Sequence, residues 1–237
     1  MRGDETRVFP GMVKLKETGL TLGSSVYEVI RSDIMEGRFA PGEKLQFDAL
    51  RSRYDIGISP IREALSRLHS DGWVEREEQR GYRVANISKA ELLEVVRTRV
   101  IIEGVAVSEA ISRQDMVAEE ALVLAFHRLS KEHRLLDDKA RNLEWEKRHR
   151  NFHMALIAGC QLKWIIQSCE QLFDVAERYR LLSAARHAER SELNEHRAIL
   201  DAYVAGDAAE VKRLLAAHYQ VTVDVILEAQ FPDFRAS

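Results

Sequence analysis

The sequence contains little that would cross-link the chain or interrupt a helix. Cys160 and Cys169 are the only cysteines among the 237 residues. They form neither a CxxC motif nor a disulfide framework, so we expect two buried free thiols. Of only four prolines, three (Pro10, Pro41 and Pro60) precede residue 61. The remainder of the chain is therefore free to be helical.

Long apolar runs and a signal peptide are also missing. No run of about 18 apolar residues occurs, and the N-terminus lacks a charged segment followed by an apolar one. We therefore expect a cytoplasmic protein with no membrane association. Hydrophobic residues make up 46% of the chain and charged residues 31%, which indicates a soluble protein with one large or two medium domains.

Residues 50–83 have the pattern of a helix, a tight turn, a second helix and a wing. Ser59 is an N-cap type, and Pro60 is tolerated at a first helical position. A buried stripe is predicted by apolar residues at spacing i, i+3, i+4, i+7: Ile61, Ala64, Leu65 and Leu68. The opposite face is polar and carries Ser59, Arg62, Glu63, Ser66 and Arg67. Such a face suits a helix in a DNA major groove.

The elements around this helix complete a winged helix-turn-helix over residues 24–88, after a flexible tail at 1–23. An amphipathic helix at 26–39 and a Pro41-Gly42 turn come before it. Gly72 ends it, and a strand, a turn at Gln79-Arg80-Gly81 and a second strand follow. This head has 10 Lys+Arg against 11 Asp+Glu, a net charge of −1. Contact with phosphates must therefore come from the placement of a few side chains: Arg51, Arg53, Arg62, Arg67, Arg80 and Arg83.

From residue 89 onward the apolar periodicity is helical. We expect six helices, at residues 89–112, 116–136, 140–158, 162–183, 188–205 and 209–228, which together form a bundle. Ser88 and Glu91 have the spacing of a capping box at the first of them. Asp207 is the expected N-cap of the last helix. The predicted fold is mostly α: an N-terminal winged helix-turn-helix and a C-terminal all-α helical bundle at 89–230.

Four histidines in the bundle are candidates for a metal site. His149 and His153 lie four residues apart and leave the same helix face, while His196 and His218 each lie in an apolar frame on the last two helices. Imidazoles converging inside a bundle bind divalent metals. The alternative is that they are hydrogen-bonded core residues. No glutamate follows His149 as it would in a zincin motif.

Several motifs of the head resemble the GntR superfamily of bacterial transcriptional regulators: Pro41-Gly42-Glu43-Lys44-Leu45, Ser59-Pro60-Ile61-Arg62-Glu63-Ala64-Leu65, Asp71-Gly72-Trp73-Val74 and Arg80-Gly81-Tyr82-Arg83-Val84. The bundle resembles the FCD ligand domain of the FadR-like branch in Arg99 and Glu103, Phe152-His153-Met154-Ala155-Leu156, Glu195-His196-Arg197-Ala198-Ile199 and Ala217-His218. Further residues look closest to the carbon-starvation-induced regulator (CsiR) type: Trp145, Arg148-His149, Ala158-Gly159-Cys160 and Arg178-Tyr179-Arg180.

The resemblance implies roles for individual residues in the head. The recognition-helix arginine that contacts DNA falls on Arg62, and the family's capping residue falls on Ser59. Arg80 and Gly81 would enter the minor groove. A homodimer would then bind double-stranded operator DNA with an inverted repeat.

In the bundle the resemblance implies a metal ligand set at His149, His153, His196 and His218. Zinc is the first candidate for the divalent metal ion, with nickel or manganese as alternatives. Arg99 would help to hold the carboxylate of a small effector, such as a short dicarboxylic acid. By family habit the effector would release a repressor from its operator.

Two positions depart from the family pattern. Gly57 and Ile58 stand where the family usually has Ser-Arg, so one DNA-binding arginine is missing. His149 stands where the family usually has aspartate, so four neutral imidazoles would leave the double charge of the metal uncompensated. We hypothesise that this favours an anionic effector, or else that His149 lies outside the coordination sphere.

Two other functions are consistent with the sequence. A metal-loaded bundle with an arginine in its cavity would suit an enzyme acting on a small organic acid, and turnover would reveal it. Alternatively the bundle only dimerises a DNA-binding head. In that case neither chelator nor organic acid should change stability or DNA affinity.

Overall fold

The structure, a computed structural model, describes residues 21–78, 80–136, 142–183 and 192–231. Two compact units divide the chain between Ile87 and Ser88. The first is a winged helix-turn-helix and the second a bundle of helices, so the fold class predicted from the sequence is confirmed. Within the described ranges, no helix is both long and apolar enough to cross a bilayer.

The first unit contains α1 (Leu22–Met35), β1 (Lys44–Leu45), α2 (Phe47–Tyr54), α3 (Ile58–Ser70), β2 (Val74–Glu77) and β3 (Gly81–Val84). Helix α1 begins earlier than expected, because the side chain of Thr21 caps it by accepting the Ser24 N–H. It also ends earlier, at Met35. Its first residues therefore belong to the stretch we predicted as tail, most of which (residues 1–20) lies outside the described residues.

The wing is larger than the two strands we expected. Strand β3 pairs antiparallel with both β2 and β1, and the strand order is β1-β3-β2. Strand β1 has only two residues, too few for an alternating pattern to be recognised. Of the expected turn, Gln79 lies outside the described residues. Gly81 has a φ of +94°, a conformation that favours glycine.

The core of the head confirms the predicted stripe on α3. Ile61, Ala64, Leu65 and Leu68 are fully buried, and α3 packs mainly against α1. Burial of a leucine or isoleucine side chain stabilises the fold by about 1.5–3 kcal/mol. Because this face is fixed inward, the polar face of α3 is fixed toward solvent.

The beginning of α3 differs from our expectation. The N-cap is Gly57, no side chain caps the helix, and Ile58 is the first helical residue. Ser59 is therefore not the capping residue, and Pro60 lies further inside the first turn. Proline is tolerated throughout that turn because the amides there have no partner within the helix. The Ser59 side chain, which does not cap the helix, is exposed on the polar face of α3.

The second unit contains α4 (Lys89–Arg113), α5 (Met116–Leu129), α6 (Leu143–Ala158), α7 (Lys163–Ser183), α8 (Glu192–Val204) and α9 (Ala208–Gln230). These correspond to the six predicted helices. Helix α5 ends at Leu129 rather than near residue 136, and the expected starts at residues 140 and 188 lie outside the described residues. Asp207 caps α9 by accepting the Glu210 N–H, as expected.

Only half of the predicted capping box forms at the start of α4. The Ser88 hydroxyl accepts the Glu91 N–H at 3.1 Å. The Ser88 N–H, however, donates to the hydroxyl of Tyr179 at 3.0 Å, and the Glu91 carboxylate accepts a hydrogen bond from that same hydroxyl. A tertiary contact from α7 thus takes the place of the glutamate.

In the bundle, α4 packs against α7 and α9, α5 packs against α6, and α8 packs against α9. The core includes Phe126, Phe152 and Tyr203. Cys160 and Cys169 are buried and free, as predicted. Helices α6, α8 and α9 also direct polar side chains inward, and these form the site described next.

Candidate metal centre and DNA-binding surface

Four histidines from three helices meet inside the bundle. His149 and His153 come from α6, His196 from α8 and His218 from α9. One potential ligand atom of each lies within 4.8 Å of the others, and all four residues are buried. The structure therefore brings together the whole histidine set named from the sequence.

Spacing and burial give this cluster the character of a metal site. His149 and His153 are one helical turn apart, and their Nε2 atoms are 3.2 Å from each other. Burial, followed by the neighbouring cationic groups, holds the pKa of both imidazoles well below the usual value. Both rings are therefore neutral at pH 7, and neutral imidazole nitrogens are the donors that zinc and related ions accept.

Each ring also needs a partner for its second nitrogen. Nδ1 of His218 is 2.7 Å from Oε2 of Glu195, which leaves Nε2 for the cluster. Nδ1 of His153 is 3.4 Å from the Tyr219 hydroxyl. Nδ1 of His149 is buried with no hydrogen-bond partner among the described residues. The histidine–carboxylate pair orients one ligand and offsets part of a metal charge, so the donor set fits a divalent ion.

A partly open cavity adjoins three of the histidines. Arg99 also lines this cavity. Its Nε donates to Glu103 at 2.7 Å and its Nη2 donates to the hydroxyl of Tyr219 at 3.0 Å. Arg99 is thus held rigidly in the wall, and Nη1 is the nitrogen that neither Glu103 nor Tyr219 engages.

A second buried arginine in the wall was missed by the sequence reasoning. Arg180 on α7 lines the same cavity and forms ion pairs with Glu177 and Glu146. Burial raises the pKa of Glu146 to about 7, whereas the Arg180 charge keeps the pKa of Glu177 low despite its burial. The only sequence signal was the Arg178-Tyr179-Arg180 motif. It does not reveal which of the two arginines lines the cavity.

On the head, five of the six predicted DNA-binding arginines are exposed: Arg51, Arg53, Arg62, Arg67 and Arg80. Arg62 projects from the polar face of α3 beside exposed Ser59, and its guanidinium lies 5.9 Å from the Phe47 ring centre. Arg51 on α2 and Arg80 at the wing are also exposed. The structure therefore presents a recognition helix, a neighbouring helix and a wing, each with an exposed arginine.

Four of these six arginines have polar partners within the described part of the head. Arg51 lies 3.9 Å from Asp48, and Arg53 lies 3.0 Å from Asp33 and packs over Phe39. Arg67 donates to the Ser24 hydroxyl at 3.0 Å, and Arg83 donates to Glu77 at 2.9 Å. The partner of Arg67 is a neutral hydroxyl, so this arginine keeps its full positive charge.

Comparisons with known protein families match both units. Residues 22–84 match the family described as bacterial regulatory proteins, gntR family. Residues 94–221 match the FCD domain. The two matches fall on the winged helix-turn-helix and on the bundle that contains the histidines.

Two relatives cover most of the chain. The HTH-type transcriptional repressor GlaR of Escherichia coli K12 is 36% identical over 214 residues, which is 86% of this chain and 94% of GlaR. The uncharacterized HTH-type transcriptional regulator BphR of Paraburkholderia xenovorans LB400 is 32% identical over 213 residues, or 87% and 85% of the two chains.

Solved structures share the fold. Escherichia coli McbR/YncC superposes with a TM-score of 0.72 at 21% identity, over 88% of this chain and 98% of that one. A GntR regulator from Rhodococcus sp. RHA1 gives a TM-score of 0.66 at 24% identity, over 89% and 99%. At these identities the likeness concerns the fold alone.

Proposed function

Because the chain belongs to the GntR family of bacterial regulatory proteins and carries an FCD domain, we propose that it is a transcriptional repressor whose operator binding is controlled by a small carboxylate held at a divalent metal. The relatives that cover the chain are named transcriptional regulators. At the level of the family, the chain is a DNA-binding regulator and not an enzyme.

The proposed DNA contacts follow from the exposed arginines of the head. Arg62 and Ser59 on α3 would meet base edges in the major groove, since α3 exposes only its polar face. Arg80 and Gly81 would enter the minor groove from the wing. Arg51, Arg53 and Arg67 would contact phosphates. A homodimer of this regulator would bind an inverted repeat on the chromosome, in the cytoplasm.

One observation supports metal-assisted sensing above all: three of the four clustered histidines and Arg99 border a single cavity. His149, His153, His196 and His218 would hold the ion, with zinc as first candidate and nickel or manganese as alternatives. When bound, the metal supplies a positive charge to which a carboxylate oxygen can coordinate. The chain itself supplies the Nη1 of Arg99 and excludes water with Phe173 and Val223, which line the cavity.

The name of GlaR favours repression over activation. We also propose the CsiR type within the family, on the residues Trp145, Arg148-His149, Ala158-Gly159-Cys160 and Arg178-Tyr179-Arg180. The rival in which the bundle only dimerises is disfavoured, because packing alone does not require four buried imidazoles beside an arginine-lined cavity.

Thermal melts of the full chain test this proposal. Short mono- and dicarboxylic acids are added before and after removal of metal with a chelator. A ligand at a hundred times its dissociation constant adds about 2.7 kcal/mol, a shift of several degrees. We expect stabilisation that chelation abolishes, together with release of the operator by the same acid. Melts that respond to neither acid nor chelator would overturn metal-assisted sensing.

A further inference from the structure

Arg99 and Arg180 are fixed in the same way. In Arg99, Nε and Nη2 are engaged by Glu103 and Tyr219. In Arg180, Nε and Nη2 are engaged by Glu177 and Glu146. Each guanidinium is thus oriented through one edge, with Nη1 outside those contacts. Both residues line the cavity that adjoins the histidines.

Nη1 of Arg180 is the more informative atom. This nitrogen is buried and has no hydrogen-bond partner among the described residues. The Arg180 residue as a whole is only 5% exposed. An unsatisfied donor on a buried charged group destabilises the protein, because the group has lost its hydrogen bonds to water. The protein bears this cost without a ligand, and an acceptor atom in the cavity would remove it.

An acidic partner suits this atom. Arg99 is paired with Glu103, and Arg180 with Glu177 and Glu146, while Glu192, which also lines the cavity, is paired with Arg134. A divalent ion at the four imidazoles would add two positive charges, of which Glu195 offsets a part through His218. A guanidinium binds a carboxylate through short charge-assisted hydrogen bonds, so a carboxylate oxygen would satisfy Nη1.

We propose that Arg180 is a second anion-binding residue of this cavity, so that the effector is a dicarboxylate with one carboxylate at Arg99 and the metal and the other at Arg180. The inference rests on the proposed function and adds the residue that would select an effector with a second carboxylate. Binding leaves the ion pairs of Arg180 intact, because it uses the nitrogen that they do not. The side chain is already oriented, so little entropy is lost on binding.

Titration calorimetry on the metal-loaded full chain tests the proposal. The probes are succinate, glutarate and adipate, each compared with the monocarboxylate of the same carbon number. The variant Arg180→Gln/Glu177→Gln removes one charge of each sign, so that no new net charge is buried. The control is Arg213→Gln/Glu210→Gln, a pair with the same i,i+3 spacing that is exposed on α9.

We expect at least one dicarboxylate to bind the wild-type protein more tightly than its monocarboxylate partner. The Arg180→Gln/Glu177→Gln variant should weaken that dicarboxylate by about ten- to a hundredfold, whereas the monocarboxylate should change little and the control should match the wild type. If the double variant fails to fold, Arg180→Lys is the alternative, because lysine keeps the positive charge but lacks the planar guanidinium donors. In this variant the preference for the dicarboxylate over the monocarboxylate should fall about tenfold.

Two results would overturn the inference. Equal affinity for both classes in the wild type, or a preference that survives in the Arg180 variants, would refute a second anion site while leaving a carboxylate-sensing regulator in place. If no acid binds the wild type at all, carboxylate sensing itself fails, and the proposed dicarboxylate fails with it.

Discussion

The hydroxyl of Tyr179 on α7 accepts the N–H of Ser88, the residue that caps α4, at 3.0 Å. The same hydroxyl donates to the Glu91 carboxylate, and Tyr179 is almost completely buried. The Tyr179 hydroxyl on α7 therefore provides the hydrogen-bond acceptor for the backbone N–H of Ser88, the first residue of the second unit. Its neighbour Arg180 lines the cavity, so α7 contacts both the start of the domain and the ligand site.

Removing this hydroxyl should destabilise the bundle. In Tyr179→Phe the Ser88 N–H and the Glu91 carboxylate both lose a partner, which should lower the free energy of unfolding by about 1–3 kcal/mol. Urea denaturation measures the change. Tyr203→Phe is the matched control, because the Tyr203 hydroxyl has no hydrogen bond among the described residues. It should cost less than about 0.5 kcal/mol, and equal losses in the two variants would contradict the role assigned to Tyr179.

The histidine at position 149 should tune the affinity for anions. In His149→Asp the carboxylate would offset part of the metal charge, so we expect the metal to be retained and carboxylate binding to weaken by about tenfold. Metal analysis and calorimetry give the two readouts. His127→Asp, on the exposed face of α5, controls for the added negative charge. Unchanged metal content and unchanged acid affinity in His149→Asp would remove the idea that this histidine sets the charge of the site.

Specific DNA recognition should depend on Arg62. The Arg62→Ala variant removes an exposed side chain from the polar face of α3 and leaves the buried stripe intact, so the melting temperature should stay within about 2 °C. Operator footprinting should show the loss of specific protection, because a base contact of this kind is worth about 1–3 kcal/mol in each half-site.

Arg128→Ala, an exposed arginine of α5, is the control and should footprint as the wild type does. A footprint by Arg62→Ala at the original site would mean that another element reads the bases.

Stability should fall with rising pH through the titration of Glu146. Burial raises the pKa of Glu146 from 4.5 to about 7 in the folded protein. The folded state therefore holds this proton more tightly than the unfolded chain, and the stabilisation present below pH 4.5 is lost as the pH rises through about 7. The effect is at most about 3 kcal/mol. Glu177 remains ionised in this window because Arg180 keeps its pKa low.

Urea denaturation of the chelated protein between pH 5 and 8 measures this effect. Burial lowers the pKa of His149 and His153, which gives an opposing trend in both proteins, so the stability of Glu146→Gln relative to the wild type is the quantity to follow. This difference should rise with pH toward about 7. Glu144→Gln, on the same helix and 42% exposed at its side chain, should behave as the wild type. Parallel pH profiles for all three proteins would show that Glu146 does not titrate in this range.

Local periodicity accounts for what the sequence predicted well. Residues 61–68 repeat their apolar positions at helical spacing, and the stripe is buried as expected. His149 and His153 share a face because they are four residues apart on one helix. Both features depend only on contacts within a helix, so they can be read without knowing how helices pack.

Features that depend on tertiary packing were missed or misplaced. The sequence does not show that Arg180 points inward, because its burial depends on the approach of α6 with Glu146. Ser59 and Gly57 are both acceptable N-cap residues, and the local sequence does not decide between them. Glu91 has the spacing of a capping box, but Tyr179 from a distant helix takes its place at Ser88.

The pairing of charges inside the head has a consequence for how DNA binding responds to salt. Arg53 and Arg83 are already paired with the carboxylates of Asp33 and Glu77, so a phosphate contact by either one adds less net positive charge than an unpaired arginine would. Fewer counterions are then displaced from the phosphates, and each displaced counterion adds about −0.9 to the slope of log K against log salt. The slope should thus be shallow for each head. Operator affinity would then depend on base contacts and on engagement of two half-sites, more than on general attraction to the polyanion.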